Sequence, residues 1–569
     1  MKPANRKTAG YAMRILVCML AISLLAGGIL PGCAFMKNEG ETPAPTEPLP
    51  TEPPTSVWQT GYVATLDLET NYYSAQDQLL GTLSRGAQLP FQTVANGKTK
   101  VLVGNKIGYL PATASIVPDL SLIIPAHTLY VKSAVNLRDA EGNVLAPLAD
   151  KGAAVNVIGY DYLLEDGTAH MYKVECGGEE GYILPWYLVN AEADATLNYD
   201  NGYYSRHEGR GNLYGGGGAA NLDYFPREKG PIEGNVMPDE CRTLYIAAWC
   251  LGNVDSYLSI ANKSGINAFV VDIMDGTSIG YASDVMKEYS PTAAKYAGNS
   301  VEKYQAAIQK LKDAGYYVIG RITAFNDSFF VQDHPECAIT TNTGSPMKLS
   351  GAYWPTPYNR TAWQYKVDLA VEAVELMGFN EIQFDYVRFP DLTYKYEKAG
   401  TIDFHNTYGE TKAQAIQRFL MYAADILHEH GAYVSADVFG ETAYNYVTAY
   451  GQYWPAISNV VDAISGMPYP DHFSASGDWL PWEHPYTTLN NWGKSVMSRQ
   501  AETATPAAVR TWIQAYNAIR APYNTYGAKE VADQIKGLRD AGCTGGYMTW
   551  NAGSSVSKYN SLISAFAAP

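Results

Sequence analysis

The ten residues from Glu381 to Pro390, EIQFDYVRFP, decide how the rest of the chain is interpreted. Side chains alternate between the two faces of a strand, and here one face is polar and the other is apolar or aromatic: Glu381, Gln383 and Asp385 against Ile382, Phe384 and Tyr386. Such a strand suits a barrel whose outer face packs on helices and whose carboxyl end opens into a site. Asp385, at that end, is therefore the first candidate for a catalytic residue.

The sequence from Arg242 onward alternates β-rich runs with segments of helical period. Eight strands are predicted: Thr243 to Trp249, Ala268 to Asp275, Tyr317 to Phe325, Glu381 to Phe389, Tyr433 to Phe439, Ala463 to Tyr469, Thr511 to Asn517 and Gly546 to Asn551. Helices are predicted between most of them, and the clearest are Val301 to Ala314, Thr361 to Met377, Ala413 to His430 and Lys529 to Ala541. Glycines end these helices as C-caps at positions 315, 378, 431 and 542. The pattern predicts an α/β (β/α)8 TIM barrel over residues 242–569. A doubly wound open sheet is the alternative, but no glycine-rich dinucleotide fingerprint follows the first strand.

The first 33 residues have the pattern of a secretory signal. Four basic residues among the first fourteen precede the apolar run Ile15 to Leu30, which ends in Leu30-Pro31-Gly32-Cys33. This ending resembles the lipobox of bacterial lipoprotein signals, in which the cysteine is acylated and becomes the first residue of the mature protein. The resemblance implies that Cys33 is a lipid anchor and that the protein is extracytoplasmic and attached to the cell membrane. An uncleaved membrane helix is the alternative, although the run is barely long enough.

Residues 34–56, rich in proline, threonine and glutamate, are expected to form an extended tether. Two related β-rich units follow, at residues 57–120 and 121–190, and their short alternating strands predict two small all-β barrels. The second unit, which runs from LYVKSAVNLRD through GYILPWYLV, resembles bacterial SH3 domains, and this family includes both wall-binding modules and spacers. Residues 191–241 are expected to be a linker or a strap. The four glycines at 215–218 lack the frame of a phosphate-binding loop.

Composition excludes some classes of partner. With 57 acidic and 41 basic residues, the net charge of -16 argues against general affinity for nucleic acid or for anionic lipid. The cysteines after Cys33 are few and scattered, and no CxxC or cysteine–histidine metal spacing occurs. Cys241 and Cys250 are near enough in sequence to pair, but nothing demands it. The sequence implies no cofactor.

The predicted strand ends deliver a set of acidic, basic and aromatic side chains to one face of the barrel. In strand order they are Asp272 and Asp275, Arg321, Asp385 and Arg388, Asp437 and Glu441, His472, Gln514, and Trp550. Ser435 and Asp437 share one face of strand five, so Asp437 and Asp385 are both expected to point inward from adjacent strands.

Two carboxylates on neighbouring strand ends are the minimal machinery for cleaving a glycosidic bond. Asp385 is predicted to be the nucleophile or the stabiliser of the oxocarbenium-like centre, and a nearby Arg388 would favour its charged form. The general acid/base is either Asp437, which parity favours, or Glu441 in the loop beyond. Carboxyl groups about 5.5 Å apart would indicate retention, and about 6.5–9.5 Å inversion. The predicted sugar-binding residues are Asp272, Arg321, Arg388, His472 and Gln514, with Trp249 and Trp550 as stacking platforms. A divalent metal held by Asp272, Asp275, Asp385 and Asp437 is a lesser alternative.

Eight motifs in order carry a resemblance to a known family: VVDIMD, GRITAFND, DHPE, TPYNR, EIQFDYVRFP, SADVFG, PYPDHF and YMTWNA. Together they resemble the bacterial putative glycosyl hydrolase domain family, formerly a domain of unknown function, over about residues 242–552. The resemblance implies a (β/α)8 barrel related to glycosidases whose nucleophile lies on strand four. Met274 and Asp471 depart from the family pattern and put the detailed sugar contacts in doubt.

The sequence thus predicts a lipid-anchored glycoside hydrolase that cleaves a cell-envelope or extracellular polysaccharide, such as a peptidoglycan-type glycan. The rival hypothesis is a wall-binding lipoprotein whose barrel keeps a carbohydrate cleft without turnover. Substitution of Asp385 discriminates the two, because only catalysis requires an ionised carboxylate there.

Overall fold

A computed structural model describes residues 57–65, 69–93, 98–118, 120, 127–162, 169–197 and 215–567. The predicted signal, Cys33, the tether and the middle of the strap lie outside the described residues. Residues from Trp58 onward belong to one compact unit.

Two antiparallel sheets of seven strands precede the barrel. The first contains Gln59–Ala64, Glu69–Tyr73, Leu79–Ser84, Gln88–Thr93, Thr99–Val103, Lys106–Tyr109 and Ser115–Val117. The second contains His127–Val131, Val135–Arg138, Val144–Ala149, Ala154–Tyr160, Tyr172–Cys176, Glu179–Ile183 and Leu188–Val189. Both follow the strand order third, second, sixth, fifth, fourth, first, seventh. The repeat predicted from sequence is therefore confirmed at the level of topology.

The barrel strands, numbered one to eight in chain order, are Cys241–Ile246, Ala268–Asp275, Tyr317–Thr323, Glu381–Asp385, Tyr433–Phe439, Ala463–Met467, Ala508–Gln514 and Gly546–Trp550. Strands one to six pair in sequence and in parallel, and strand eight pairs with strand one. Strand seven is in two pieces: Ala508–Val509 pairs with strand six and Thr511–Gln514 with strand eight. Arg510 lies at the break. The sheet closes through this divided strand, so the predicted barrel is confirmed and the open-sheet alternative is wrong.

Helices fill the connections between the barrel strands. The longer ones are Val254–Ala261, Val301–Asp313, Arg360–Met377, Lys412–Glu429, Pro485–Gln500 and Ala528–Asp540. The shorter ones are Asp284–Tyr289, Pro291–Lys295, Ser328–Asp333, Tyr394–Ala399 and Trp454–Ser458. Helix Glu192–Thr196 precedes the barrel, and helices Val556–Ser561 and Ile563–Phe566 follow strand eight. The short strand Ser278–Tyr281 pairs antiparallel with the carboxyl end of strand two, and Ala297–Asn299 pairs with it in turn. Two small two-stranded sheets pair Thr340–Thr341 with the distant Ile402–Asp403, and Lys348–Leu349 with Ala352–Tyr353.

The four predicted helices are present within one residue at each end, but several predicted strands are too long at their carboxyl ends. Strand one ends at Ile246 rather than Trp249, and strand four ends at Asp385 rather than Phe389. The residues beyond leave the ladder to build the site: a short helix begins at Ala248, and Tyr386 has a left-handed backbone with φ of 48°. Apolar composition alone does not distinguish these loop residues from strand.

The glycine run at 215–218 packs closely against the barrel. The carbonyl of Gly216 accepts a hydrogen bond from Ala413 N at 3.2 Å. A Cβ at Gly216 would lie 2.3 Å from the carbonyl oxygen of Thr448. Glycine is required here because the two backbones approach each other this closely.

The second sheet module is joined to the barrel by a buried charge cluster around Asp425, on helix Lys412–Glu429. Asp425 accepts hydrogen bonds from Arg138 at 3.0 Å and from the Tyr187 hydroxyl at 2.6 Å, and also from Arg227. His170 extends the cluster by bridging Asp161 and Glu429, and hydrogen bonds to these two carboxylates raise its pKa to about 9 despite the opposing effect of burial. The module and the barrel helix therefore share one buried network.

Asp425→Ala is expected to destabilise the protein by about 3 kcal/mol or more, because it leaves two arginines buried without their shared carboxylate. Urea unfolding at pH 7.5 measures the change. Asp255→Ala, which removes an exposed ion pair with Lys310, is the control and should cost about 0–1 kcal/mol. Equal stability of the two variants would contradict a buried network that joins module and barrel.

Within the described residues, no helix combines the length and the apolar character needed to span a membrane. The five described cysteines are free, so Cys241 and Cys250 do not pair.

Candidate active site

The polar face of strand four points into the barrel, as its alternation predicts. Glu381 is paired with Arg510, Gln383 contacts Ser465, and Asp385 is paired with Arg321. The apolar face packs on the surrounding helices: Ile382 and Phe384 belong to the large core between sheet and helices. Of these three inward residues, Asp385 lies nearest the carboxyl end of the barrel, and its carboxylate belongs to the polar layer at that end.

Arg321, on strand three, is the centre of this layer. Its guanidinium donates to Asp272 at 2.7 Å and to Asp385, and it lies 3.5 Å from Asp275 and 3.7 Å from Asp437. Its side chain is buried. One cation therefore holds together four carboxylates from strands two, four and five. Its positive charge lies among the four aspartates that were the alternative metal ligands. Within the described residues, no group of three or more histidine, cysteine, aspartate or glutamate side chains is arranged to hold a metal ion.

Asp385 is fixed by its surroundings on both carboxylate oxygens. Oδ2 accepts from Arg321, and Oδ1 accepts from the backbone N–H of Tyr386 at 2.5 Å. Tyr386 has a φ of 48°, which is a strained conformation for a bulky residue. This turn directs the N–H of Tyr386 at the carboxylate. An ion pair and a backbone donor both favour the ionised form of a carboxylate.

Asp437 is in the opposite electrostatic situation. Its Oδ1 accepts a hydrogen bond from the Trp512 indole at 2.7 Å, while its buried Oδ2 has no hydrogen-bond partner among the described residues. Burial, and next the negative charge of Asp385, raise the pKa of Asp437 well above its usual range. Asp437 is therefore suited to hold a proton, whereas Asp385 is paired with the Arg321 cation.

Asp272 completes the layer beneath Arg321. The Tyr245 hydroxyl donates to its Oδ2, and Arg321 donates to its Oδ1. Burial raises the pKa of Asp272 to about 7, against the attraction of the Arg321 charge. The Asp272 side chain has no exposed surface, so the predicted direct contact between Asp272 and a sugar is not supported by its position.

Arg388 does not pair with Asp385 as the sequence suggested. It forms an ion pair with Asp391 at 3.6 Å, and its guanidinium lies over the ring of Phe439 at 4.3 Å. The arginine that pairs with Asp385 is Arg321, from a different strand. Sequence proximity placed Arg388 near Asp385, but the turn at Tyr386 directs it to the aromatic side chains beyond.

The remaining predicted site residues are spread from the surface to the interior. Glu441 is half-buried and accepts hydroxyl hydrogen bonds from Tyr446 at 2.9 Å and from Tyr450 at 3.0 Å. His472 lies on the rim beside Tyr469 with about half of its side chain exposed (53%), and partial desolvation of the imidazole by its neighbours lowers its pKa. Gln514 is fully buried and holds the backbone of Asp471 at 3.3 Å, so its influence on a sugar would be indirect.

The two predicted platforms differ in depth. Trp249 is largely exposed at the end of strand one. Trp550 is half-buried, packs at a tilt of 42° against Tyr245 with ring centroids 4.8 Å apart, and has its ring 5.4 Å from the Arg321 guanidinium. Trp550 therefore forms a wall of the aspartate–arginine layer, while Trp249 lies at its edge.

Sequence reasoning missed the role of two aromatic residues in this layer, Tyr245 and Trp512. Each lies on the inward face of its strand by the same alternation that identified Asp385. The sequence did contain a sign of this role, since Tyr245 and Trp512 lie on the inward faces of predicted strands. A buried phenol or indole donor must find an acceptor, and inside this barrel the acceptors are carboxylates.

We expect Asp437→Asn to stabilise the protein by about 1–2 kcal/mol at pH 7.5, because asparagine avoids burying a group that ionises readily only in the unfolded chain. The pKa of Asp437 is raised in the folded wild-type protein. The wild type is therefore most stable at low pH, where Asp437 is protonated in both states, and it loses stability as pH rises above the unfolded pKa near 3.8. The gain should therefore shrink at pH 4.5. Urea unfolding at both pH values measures it, with the exposed Asp255→Asn as control. A variant less stable than wild type at pH 7.5 would contradict the assignment of a proton to Asp437.

The chain was compared with families, curated proteins and solved structures. No curated protein is significantly similar to the chain. A hypothetical protein from Ruminiclostridium thermocellum ATCC 27405 is 33% identical over 34% of this chain and 97% of its own, with a TM-score of 0.29. The PgaB (BpsB) glycoside hydrolase domain from Bordetella bronchiseptica is 13% identical over 57% of this chain and 99% of its own, with a TM-score of 0.41.

The catalytic domain 2 of an Ostrinia furnacalis Group II chitinase is 13% identical over 58% of this chain and 96% of its own, with a TM-score of 0.34. We draw nothing about substrate from these three overlaps, because their TM-scores are below 0.5. The sequence itself is decisive: residues 243–556 match the family model described as "Putative glycosyl hydrolase domain". This match spans more than half of the chain, and the protein therefore belongs to this family of glycoside hydrolases.

Proposed function

We propose that the protein is a membrane-anchored, extracytoplasmic glycoside hydrolase that cleaves a cell-envelope or extracellular polysaccharide with two carboxylates. The observation that carries the proposal is the unequal environment of Asp385 and Asp437. Asp385 is paired with Arg321 and a backbone N–H, whereas Asp437 has a buried oxygen without a hydrogen bond and a raised pKa. Such a pair separates the roles of anion and acid.

In this mechanism the acid delivers a proton to the glycosidic oxygen as the bond from that oxygen to the anomeric carbon breaks. Asp385, ionised, then stabilises or attacks the oxocarbenium-like centre. Water adds to the anomeric carbon, and the proton lost from that water returns to the acid/base group. Arg321 holds Asp385 in place throughout, and Trp550 provides an apolar wall for the sugar ring.

Asp437 is the proposed acid/base, and Glu441 is the second candidate. Asp437 has the raised pKa, but its side chain is fully buried; Glu441 is more accessible, but tyrosine hydroxyls occupy both of its oxygens. Substrates with good leaving groups need little protonation. The variant of the true acid should therefore lose activity on natural glycan and retain it on an aryl glycoside of the same sugar. Asp437→Asn and Glu441→Gln, assayed on both substrates, identify the acid.

The N-terminal modules and the acyl anchor belong to the same proposal. The lipobox-like ending at Cys33 supports attachment to the membrane, and the likeness of the second module to bacterial SH3 domains supports proximity to the wall. Asp425 would fix that module on the barrel, so a wall polymer bound by one would be held near the other.

The experiment that tests the function is the release of new reducing ends from purified cell envelope and from a panel of polysaccharides. The wild-type protein should release them from at least one substrate. Binding without release across a broad panel would favour a non-catalytic wall-binding lipoprotein and would sink the enzymatic proposal.

A further inference from the structure

Exposed apolar side chains of the barrel are concentrated at one end. Among the described barrel residues, every exposed large apolar side chain except Leu376 lies on a segment between the carboxyl end of a strand and the last helix before the next strand. Seven of them are aromatic: Trp249, Tyr296, Tyr353, Tyr394, Tyr444, Trp479 and Tyr523. Parallel barrel strands all end on the same side, so these aromatics share the face that contains Asp385.

Three of these aromatics are stacked on a second ring. Tyr444 stacks on Tyr446, after strand five, with centroids 5.8 Å apart and an angle of 12°. Tyr296 stacks on Phe329 with centroids 4.9 Å apart and an angle of 8°. Trp479 stacks on His484 with centroids 3.9 Å apart and an angle of 8°. Tyr296 and Trp479 remain 64% and 40% exposed, respectively. A ring fixed on one face and open on the other binds the apolar face of a sugar with little loss of side-chain entropy.

The Tyr296–Phe329 and Trp479–His484 pairs lie on opposite sides of the barrel mouth. Tyr296 and Phe329 follow strands two and three, whereas Trp479 and His484 follow strand six. In a closed barrel of eight strands, strands two and three lie across from strands six and seven. The Arg321–Asp385 ion pair lies inside the barrel, between these two aromatic pairs, toward the carboxyl ends of strands three and four. A ligand that touches both pairs therefore passes over the carboxylates.

The negative charge of this surface argues against negatively charged ligands. Asp275 and Asp385 both retain some exposure at this centre, and the chain carries a net charge of -16. A polyanionic chain would be repelled from such a surface. Flat aromatic rings, in contrast, need no charge on the sugar.

Building on the proposed function, we propose that the substrate is a long glycan without net negative charge that lies across the whole mouth, with sugars bound on both sides of Asp385. Cleavage is then internal to the chain. An enzyme that removes terminal sugars needs a platform on one side only, because the chain ends at the catalytic centre.

Oligosaccharides of graded length, labelled at the reducing end, test this inference. The probes are β-1,3-, β-1,4- and β-1,6-linked oligomers of glucose and of N-acetylglucosamine, each incubated with purified full-length protein. We expect internal cleavage whose kcat/KM rises with oligomer length. Tyr296→Ala and Trp479→Ala should each lower kcat/KM on long oligomers about five- to tenfold. They should also move the cleavage position toward opposite ends of the oligomer. Trp58→Ala, an exposed tryptophan in the first module, should change neither.

Release of products one or two sugars at a time from a chain end, with Tyr296→Ala and Trp479→Ala unchanged, would overturn the inference and leave the hydrolase intact. Absence of hydrolysis of every series by the wild type would instead count against the proposed function itself. If both variants displaced cleavage toward the same end of the oligomer, the inference of internal cleavage would also be overturned, because the platforms would then lie on one side of the carboxylates.

Discussion

Asp385→Asn is expected to reduce kcat for glycan hydrolysis by about 10³- to 10⁵-fold while binding of the glycan is retained. Asparagine has nearly the same shape as aspartate but carries no charge to stabilise or attack the anomeric carbon. It also removes the anion that Arg321 holds in place. Steady-state kinetics on the substrate found by the panel, together with calorimetric titration of the same glycan, measure both effects.

The matched control is Asp391→Asn, six residues further along the same loop. Asp391 is partly exposed, and it contacts Arg388 and the Ser350 hydroxyl rather than Asp385. It should keep kcat within a few-fold of wild type. If Asp385→Asn hydrolysed the glycan as fast as Asp391→Asn, the carboxylate of strand four would have no part in the chemistry.

The second large effect is expected from Arg321→Met, which removes the cation among four carboxylates. Stranding buried carboxylates without their partner should destabilise the protein by about 3–5 kcal/mol at pH 7.5. Without the cation, the pKa values of Asp272 and Asp437, which are already raised in the wild type, should rise further, so the lost stability should return as pH falls toward 4. Urea unfolding at pH 7.5 and pH 4.5 measures the difference.

Arg520→Met is the control, because Arg520 is exposed and donates only to the Phe473 carbonyl at 3.2 Å. It should leave stability within about 0.5 kcal/mol of wild type at both pH values. An Arg321→Met variant as stable as wild type at pH 7.5 would mean that the four carboxylates do not depend on this cation.

Local alternation was enough to predict which side chains enter the barrel. The two-residue period of strands four and five placed Asp385 and Asp437 on the inward face, and Arg321 contacts both. The same local logic predicted the helix ends, since Gly378 and Gly431 adopt the left-handed conformation that a helix C-cap requires.

Pairing between distant elements was not predictable in this way. The partner of Asp385 is 64 residues away rather than three, because parallel strands bring Arg321 beside it. The docking of the second module on Asp425 likewise depends on Arg138, 287 residues away. Strand seven is divided at Arg510, and the local sequence does not mark this break. The buried arginine is neutralised by Glu381, a partner on strand four that only the closed barrel brings beside it.

The strained turn after Asp385 was also missed. Tyrosine rarely adopts a positive φ, so nothing in EIQFDYVRFP marks Tyr386 as the end of the strand. Its conformation directs its backbone N–H at the carboxylate of Asp385 and the following residues away from it. Because strain of this kind costs about 1–3 kcal/mol, it is consistent with a site under functional constraint.

Chemical rescue of Asp385→Gly tests the central claim most directly. This variant removes the carboxylate and leaves space beside the anomeric carbon for a small anion. If Asp385 acts at that carbon, azide should restore turnover in a concentration-dependent manner, and mass spectrometry should identify a glycosyl azide as the product. Unchanged turnover without azide, or glycosyl azide formed only by a variant of another carboxylate, would contradict the assignment of Asp385 as the reacting group.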